Sequence, residues 1–168
     1  MGVNVGRDDE DKTFIFFLFY LDGDVYVWRM DRSENPVRVH YGGSVNAVAI
    51  TKDGSALVAG GRGDEGTHPV KVWNLPVEEN APKDREIAQH DKQILSLDLS
   101  PVGSTVLSSA ADGSVRLSSL AGSARSARFK ATSQENSVWS ARFSAEGDWI
   151  VTAGEDGSVR VWRTGSVI

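Results

Sequence analysis

The sequence contains no cysteine. A disulfide framework and a thiolate metal site are both excluded, and a reducing compartment is mildly favoured. Histidine is scarce. His40, His68 and His90 stand more than 20 residues apart, without the HxH or HExxH spacing a zinc site uses. Long apolar runs are missing too. The longest, Phe14 to Leu21, has eight residues, against the roughly 20 needed to span a membrane. The stretch before it, GRDDEDK, is acidic, whereas a secretion signal opens on positive charge. Gly6 stands where a myristoylation motif takes Ser or Thr. Basic charge is in deficit, with 18 Lys and Arg against 23 Asp and Glu and a net charge of −5. Binding to nucleic acid through bulk positive charge is disfavoured. No window keeps a helical period, so a Gly-rich phosphate loop has no helix to precede, and no GxSxG elbow occurs.

What remains is short alternating runs, and they repeat. DGDVYVWRM, THPVKVWNL, DGSVRLSSL and DGSVRVWRT align, with their first strand valines (Val25, Val70, Val115, Val159) spaced 45, 45 and 44 residues apart. Upstream, VNAVAITKDG, ILSLDLSPVG and VWSARFSAEG each read as a strand ending in a glycine turn. ALVAGG, TVLSSA and WIVTAGE follow them directly. Asp-Gly between alternating runs is a hairpin signal. A weaker, more charged strand recurs at PVRVHY, REIAQH and ARFKAT, as expected of an edge. The unit is four short antiparallel strands in about 44 residues, the size of a propeller blade. The strands are named a to d from the inside outward. The apolar run Phe14 to Leu21 then becomes a strand b, buried between neighbouring blades.

The expected fold is all-β: a β-propeller of four-stranded antiparallel blades, about four blades, the first and last incomplete. Residues 1–12 read as a flexible acidic N-terminal segment. Residues 13–41 read as a partial blade of strands b, c and d, because NVGRDDEDK is too charged for a packed strand a. Residues 42–89 and 90–133 read as full blades, and 134–168 as a partial blade of strands a, b and c. Fourteen strands are expected, roughly half of a seven-bladed ring of about 300 residues. An open arc leaves two apolar blade faces uncovered, one of them carrying Phe14, Phe16, Phe17 and Phe19. Large apolar faces mark association sites. Completion by flanking sequence, by another chain, or as an atypical four-bladed ring all remain open.

These residues resemble the WD-repeat β-propeller family. The resemblance covers residues 13 to 165 and is carried by Trp28, Trp73 and Trp162, by the turns at Asp22, Asp112 and Asp156, and by His90. It implies a hydrogen-bonded set in each blade of His, Ser or Thr, Asp and Trp. Mapped onto this sequence the set is never complete. In the third repeat Ala110 falls at the Ser/Thr station and Ser118 at the Trp station. In the fourth, Gln134 and Gly154 replace His and Ser/Thr. In the second, Tyr41 replaces His.

The resemblance also implies that the b–c and d–a loops share a binding face. The b–c loop of the second repeat is longer than its equivalents by four residues. Arg62, Asp64, Glu65 and His68 are expected to project there near Tyr41, and the candidate partner-binding residues are Tyr41, Arg62, Asp64, His68 and Trp139. Arg125, Arg128 and Lys130 form a basic cluster that suits either edge protection or contact with an acidic partner or RNA phosphates. No catalytic residue, cofactor or metal site is expected, and neither a membrane nor nucleic acid as a direct partner. The resulting expectation is a non-enzymatic scaffold for protein partners, intracellular in the cytoplasm or nucleus. The alternatives are a structural subunit of a large ribonucleoprotein or cytoskeletal complex, and a substrate-recognition subunit of a ubiquitin ligase. The last is weakened because WRMDR, WNLPV and WRTGS lack the Trp-Asp-x-Arg box.

Overall fold

Glycine-ended turns cut the chain into hairpins, and the computed structural model folds these into four antiparallel sheets. It describes residues 3–7, 13–18, 23–29, 36–75, 84–122, 126–132 and 136–167, with the side chains of 3–7, 13–18 and 29 outside the description. The first sheet runs β1 (Val3–Arg7), β2 (Thr13–Leu18), β3 (Asp24–Arg29), β4 (Val37–His40) in order. The second runs β5 (Gly43–Ile50), β6 (Ala56–Gly63), β7 (Pro69–Asn74), β8 (Arg85–Gln89). The third runs β9 (Ile94–Leu99), β10 (Thr105–Ala110), β11 (Ser114–Ser119), β12 (Ser126–Lys130). The fourth holds three strands, β13 (Val138–Phe143), β14 (Trp149–Gly154) and β15 (Val159–Arg163). Each sheet is an up-and-down meander of neighbours, the connectivity of a propeller blade.

The first blade departs from expectation. Val3–Arg7 is a strand a, pairing antiparallel with β2 from Val3↔Phe17 to Arg7↔Thr13. The described strands therefore number fifteen, and part of the segment expected to be flexible is structured. The physical reason is where the charge begins. Val3, Asn4, Val5 and Gly6 are uncharged, and the acidic run starts only at Asp8. Strand b itself falls on Thr13–Leu18 and its register places Phe14 opposite Arg29. Asp22 and Phe19, together with the side chains of Phe14, Phe16 and Phe17, lie outside the described residues.

The a–b turns repeat one geometry. Gly54, Gly103 and Gly147 sit at φ of 68°, 69° and 79°. Their N–H groups donate to the carbonyls of Thr51, Ser100 and Ser144 at 2.9, 2.7 and 2.9 Å. Left-handed φ at this point is what glycine supplies without steric cost.

Three apolar clusters lie between successive blades, and burying such aliphatic side chains is the main stabilising term. Val25 and Val27 of the first blade meet Val45, Val48, Leu57 and Trp73 of the second. Val58, Val70 and Val72 of the second meet Ile94, Leu97 and Val106 of the third. Leu107, Val115 and Leu117 of the third meet Val138, Ala141 and Ile150 of the fourth. Each blade thus offers a forward face of b and c residues to the inner strands of the next.

Candidate protein-interaction face

The inner strands of the second, third and fourth blades share an irregularity that β1 lacks. Pairing skips one residue between Val45 and Ala47, between Ile94 and Ser96, and between Val138 and Ser140. Each skip is a β-bulge, at the fourth residue of β5 and at the second residue of β9 and of β13. Bulges re-aim a side chain out of the ladder. The three re-aimed residues are Asn46, Leu95 and Trp139, all at the end of strand a that adjoins the d–a and b–c loops. Asn46 Nδ2 donates to the Ile94 carbonyl at 2.8 Å, crossing to the next blade. Leu95 is half-buried. Trp139 is 56% exposed. Beside it, the Glu155 carboxylate accepts from the Ser137 N–H at 2.9 Å, tying the d–a loop to the b–c turn. Trp139 is thus a large exposed aromatic carried beside a hydrogen-bonded rim.

The long b–c loop lies on the same side. Its extra residues lengthen β6 to Gly63 and then form a 3-10 turn over Asp64–Gly66. Glu65 takes φ of 54°, an uncommon conformation for a non-glycine residue. Thr67 Oγ1 closes the turn by donating to the Asp64 carbonyl at 2.8 Å. Arg62, Asp64 and Glu65 are exposed. His68 is half-buried, and its Nδ1 has no hydrogen-bond partner. Burial, and then the charge of Arg62, hold its pKa below the usual histidine value.

Tyr41 does not belong to this surface. Its side chain is fully buried. Its hydroxyl donates to the Pro69 carbonyl at 2.8 Å and accepts from the Gly61 N–H at 3.1 Å. Burial pushes the phenol well above its ordinary pKa. The residue expected to contact a partner instead bridges strands b and c of the second blade, from the station a histidine fills in the third.

That histidine, His90, heads a buried relay. Ser114 Oγ donates to Asp112 Oδ1 at 2.6 Å. The same hydroxyl therefore accepts from His90 Nδ1 at 2.9 Å, and His90 Nε2 accepts from Ser108 Oγ at 2.8 Å. His90 Nδ1 and Asp112 Oδ1 are 3.8 Å apart, too far for a direct hydrogen bond, so Ser114 is the link. Burial lowers the His90 pKa despite the nearby carboxylate. Burial alone would raise Asp112. The imidazole, the Ser114 hydroxyl, and the N–H groups of Ser114 and Asp91 together draw it far below the carboxylate range.

The strand-b hydroxyl partner of His90 is therefore Ser108, not residue 110. The fourth blade agrees. Trp162 Nε1 donates to Thr152 Oγ1 at 3.0 Å, and Thr152, not Gly154, holds the equivalent station. In the third blade Ser118 occupies the tryptophan station, and its buried Oγ has no partner. In the first blade the buried acid is Asp24, which pairs with Arg38 at 2.5 Å and His40 at 2.8 Å. Trp73 is buried and Trp28 half-buried, its ring stacked on Tyr26. Asp156 is held at a pKa of about 2 by Ser158 and Arg160.

The basic cluster is largely engaged within the chain. Arg128 reaches Asp91 at 2.6 Å and Asp112 at 3.2 Å, and Lys130 Nζ donates to the Asp112 carbonyl at 2.7 Å. Arg125 lies outside the described residues. Among the described residues, no group of three or more His, Cys, Asp or Glu side chains is arranged to hold a metal ion. None of their helices is long and apolar enough to cross a membrane.

Two stretches of the chain match the WD domain, G-beta repeat family: residues 83–117 and 126–163. Each match takes strand d of one blade with strands a, b and c of the next, so the sequence repeat is staggered against the structural one. The chain is 30% identical over 147 residues to Protein groucho of Drosophila melanogaster, covering 85% of this chain and 18% of that protein. It is 26% identical over 157 residues to Transcription factor unc-37 of Caenorhabditis elegans, covering 89% and 23%. The chain thus spans about a fifth of the length of these curated relatives.

Proposed function

Because the chain carries WD repeats folded as propeller blades, we propose that it is a protein-interaction scaffold whose docking rim centres on Trp139. The supporting observation is the bulge. It turns a large aromatic out of an otherwise regular ladder and leaves it 56% exposed on a hydrogen-bonded rim. The partner is a protein segment carrying an apolar anchor. Arg62, Asp64 and Glu65 flank the docked segment and set its charge preference. Similarity to a protein named a transcription factor supports a nuclear place of action and a regulatory protein as the partner.

A test is capture from nuclear extract on the immobilised chain. Trp139→Ala should weaken retention of the specific partner about 30-fold, the scale of an aromatic hot spot, and Val102→Ala on the opposite face should leave it unchanged. Equal capture by both variants would remove Trp139 from the site. A second reading, a structural subunit inside a larger assembly, is favoured by the exposed apolar face of the fourth blade. That reading predicts that capture survives Trp139→Ala.

A further inference from the structure

Three blades place a cation on strand c, directly after its first valine, and two of them pair it. Lys71 in the second blade meets Asp84 at 2.6 Å. Arg160 in the fourth reaches Asp156 at 3.0 Å and donates to the Ala131 carbonyl at 2.7 Å. Arg116 in the third has no hydrogen-bond or ion-pair partner among the described residues, and its Nε is buried without an acceptor. The carboxylates that serve its counterparts are lost to it. Asp112 precedes Arg116 by four residues, as Asp156 precedes Arg160. Its Oδ1 accepts from Ser114, however, and its Oδ2 from Arg128 at 3.2 Å. Asp84 directly precedes strand d of the second blade, and the residue at that place in the third is Arg125.

The pairing of β11 with β12 also sets Arg116 directly opposite Arg128. Like charges across such a pair are destabilising. Burial, and then the charge of Arg128, press the Arg116 pKa below its ordinary value. An arginine stays charged even so, and the unliganded chain is left with the repulsion. Two residues along the same face of β12, Lys130 Nζ donates to the Asp112 carbonyl, a neutral acceptor. Strand β8 of the second blade is fixed alongside. Arg85 donates to the Leu120 and Ala121 carbonyls at 2.7 and 2.8 Å, and Asp91 holds Arg128 at 2.6 Å. The half-buried Arg116 therefore stands in a rigid setting from which its guanidinium can still be reached.

We propose that Arg116 receives a carboxylate from an acidic segment of a protein partner laid along the outer strands of the third blade, with Lys130 as the second positive charge. A carboxylate suits the planar donor fork of a guanidinium, and bonds between charged partners are the strong ones. The charge balance favours a carboxylate over a nucleic acid. The chain carries a net charge of −5, and Asp91 and Asp112 lie beside the two cations, whereas nucleic-acid affinity needs several phosphates neutralised together. The site uses strands c and d and does not rest on the Trp139 rim.

The test is fluorescence anisotropy of a labelled hexaglutamate peptide titrated with the whole chain at low ionic strength. Binding should saturate, weaken with added salt, and be absent for hexaglutamine. Arg116→Gln should lower the affinity about 10-fold or more, the scale of one hydrogen bond to a charged group. Arg116→Lys should fall between, since it keeps the charge and loses the fork. Lys52→Gln removes the same charge from the exposed a–b turn of the second blade and should change nothing. Arg116→Gln should also keep or raise the thermal midpoint, because it relieves the opposition to Arg128. A lowered midpoint would make the arginine structural and overturn the proposal. So would a chain that does not bind hexaglutamate, or equal binding by Arg116→Gln. Tighter binding of an oligouridylate of matched charge would overturn it in favour of nucleic acid.

Discussion

Tyr41 shows how a side chain suited to a surface is used inside. Its hydroxyl satisfies two buried backbone groups, the Pro69 carbonyl and the Gly61 N–H. Tyr41→Phe orphans both, and chemical denaturation should register a loss of about 1–3 kcal/mol. Ser118 presents the opposite case, a buried hydroxyl without a partner. Ser118→Ala should be neutral or stabilising by up to about 1 kcal/mol in the same assay, because it removes a desolvated group that nothing satisfies. His90 adds a pH dependence. Burial holds its folded pKa below that of a free histidine, so the unfolded chain binds the extra proton first as pH falls. Stability should be flat above pH 7 and decline as pH drops through about 6.5. His90→Asn should be less stable at pH 7 and show a shallower decline, with His68 contributing what slope remains.

At the scale of elements, the hairpins and the tryptophan spacing were legible because they rest on local chemistry. Asp-Gly turns, glycine after strand a, and alternation of period two all report themselves within ten residues. Strand a of the first blade was hidden by its neighbours. Reading NVGR together with DDEDK mixed a strand with the acidic stretch that follows it. The Ser/Thr station was misplaced by two residues, one full pleat, so residue 108 was overlooked while residue 110 lay on the same face of the strand. Only the pairing register separates the two, although the 44-residue spacing of Ser108 and Thr152 carried a signal. The bulges were invisible for the same reason, since a skipped residue is a property of a pair of strands. Gly43, at the start of β5, tests how tightly that end of the inner strand is held. It sits at φ of 104°, and a Cβ there would lie 2.3 Å from the Arg62 carbonyl oxygen. Gly43→Ala should cost several kcal/mol and lower the thermal midpoint, whereas Gly66→Ala, whose Cβ meets nothing within 4 Å, should cost only the strain of its positive φ, about 1 kcal/mol.

At the scale of the molecule, the chain is a stack in which each blade covers the forward face of the one before it. Stability in such repeats comes mainly from junctions between neighbours. The three internal junctions bury the valine and leucine stations almost completely, and the fourth set is left in water. The most direct measurement is retention of a nuclear protein partner on the immobilised chain, with wild type, Trp139→Ala and Val102→Ala compared. A docking rim centred on Trp139 predicts about 30-fold weaker retention for Trp139→Ala and none lost for Val102→Ala. Equal retention by all three chains would contradict it.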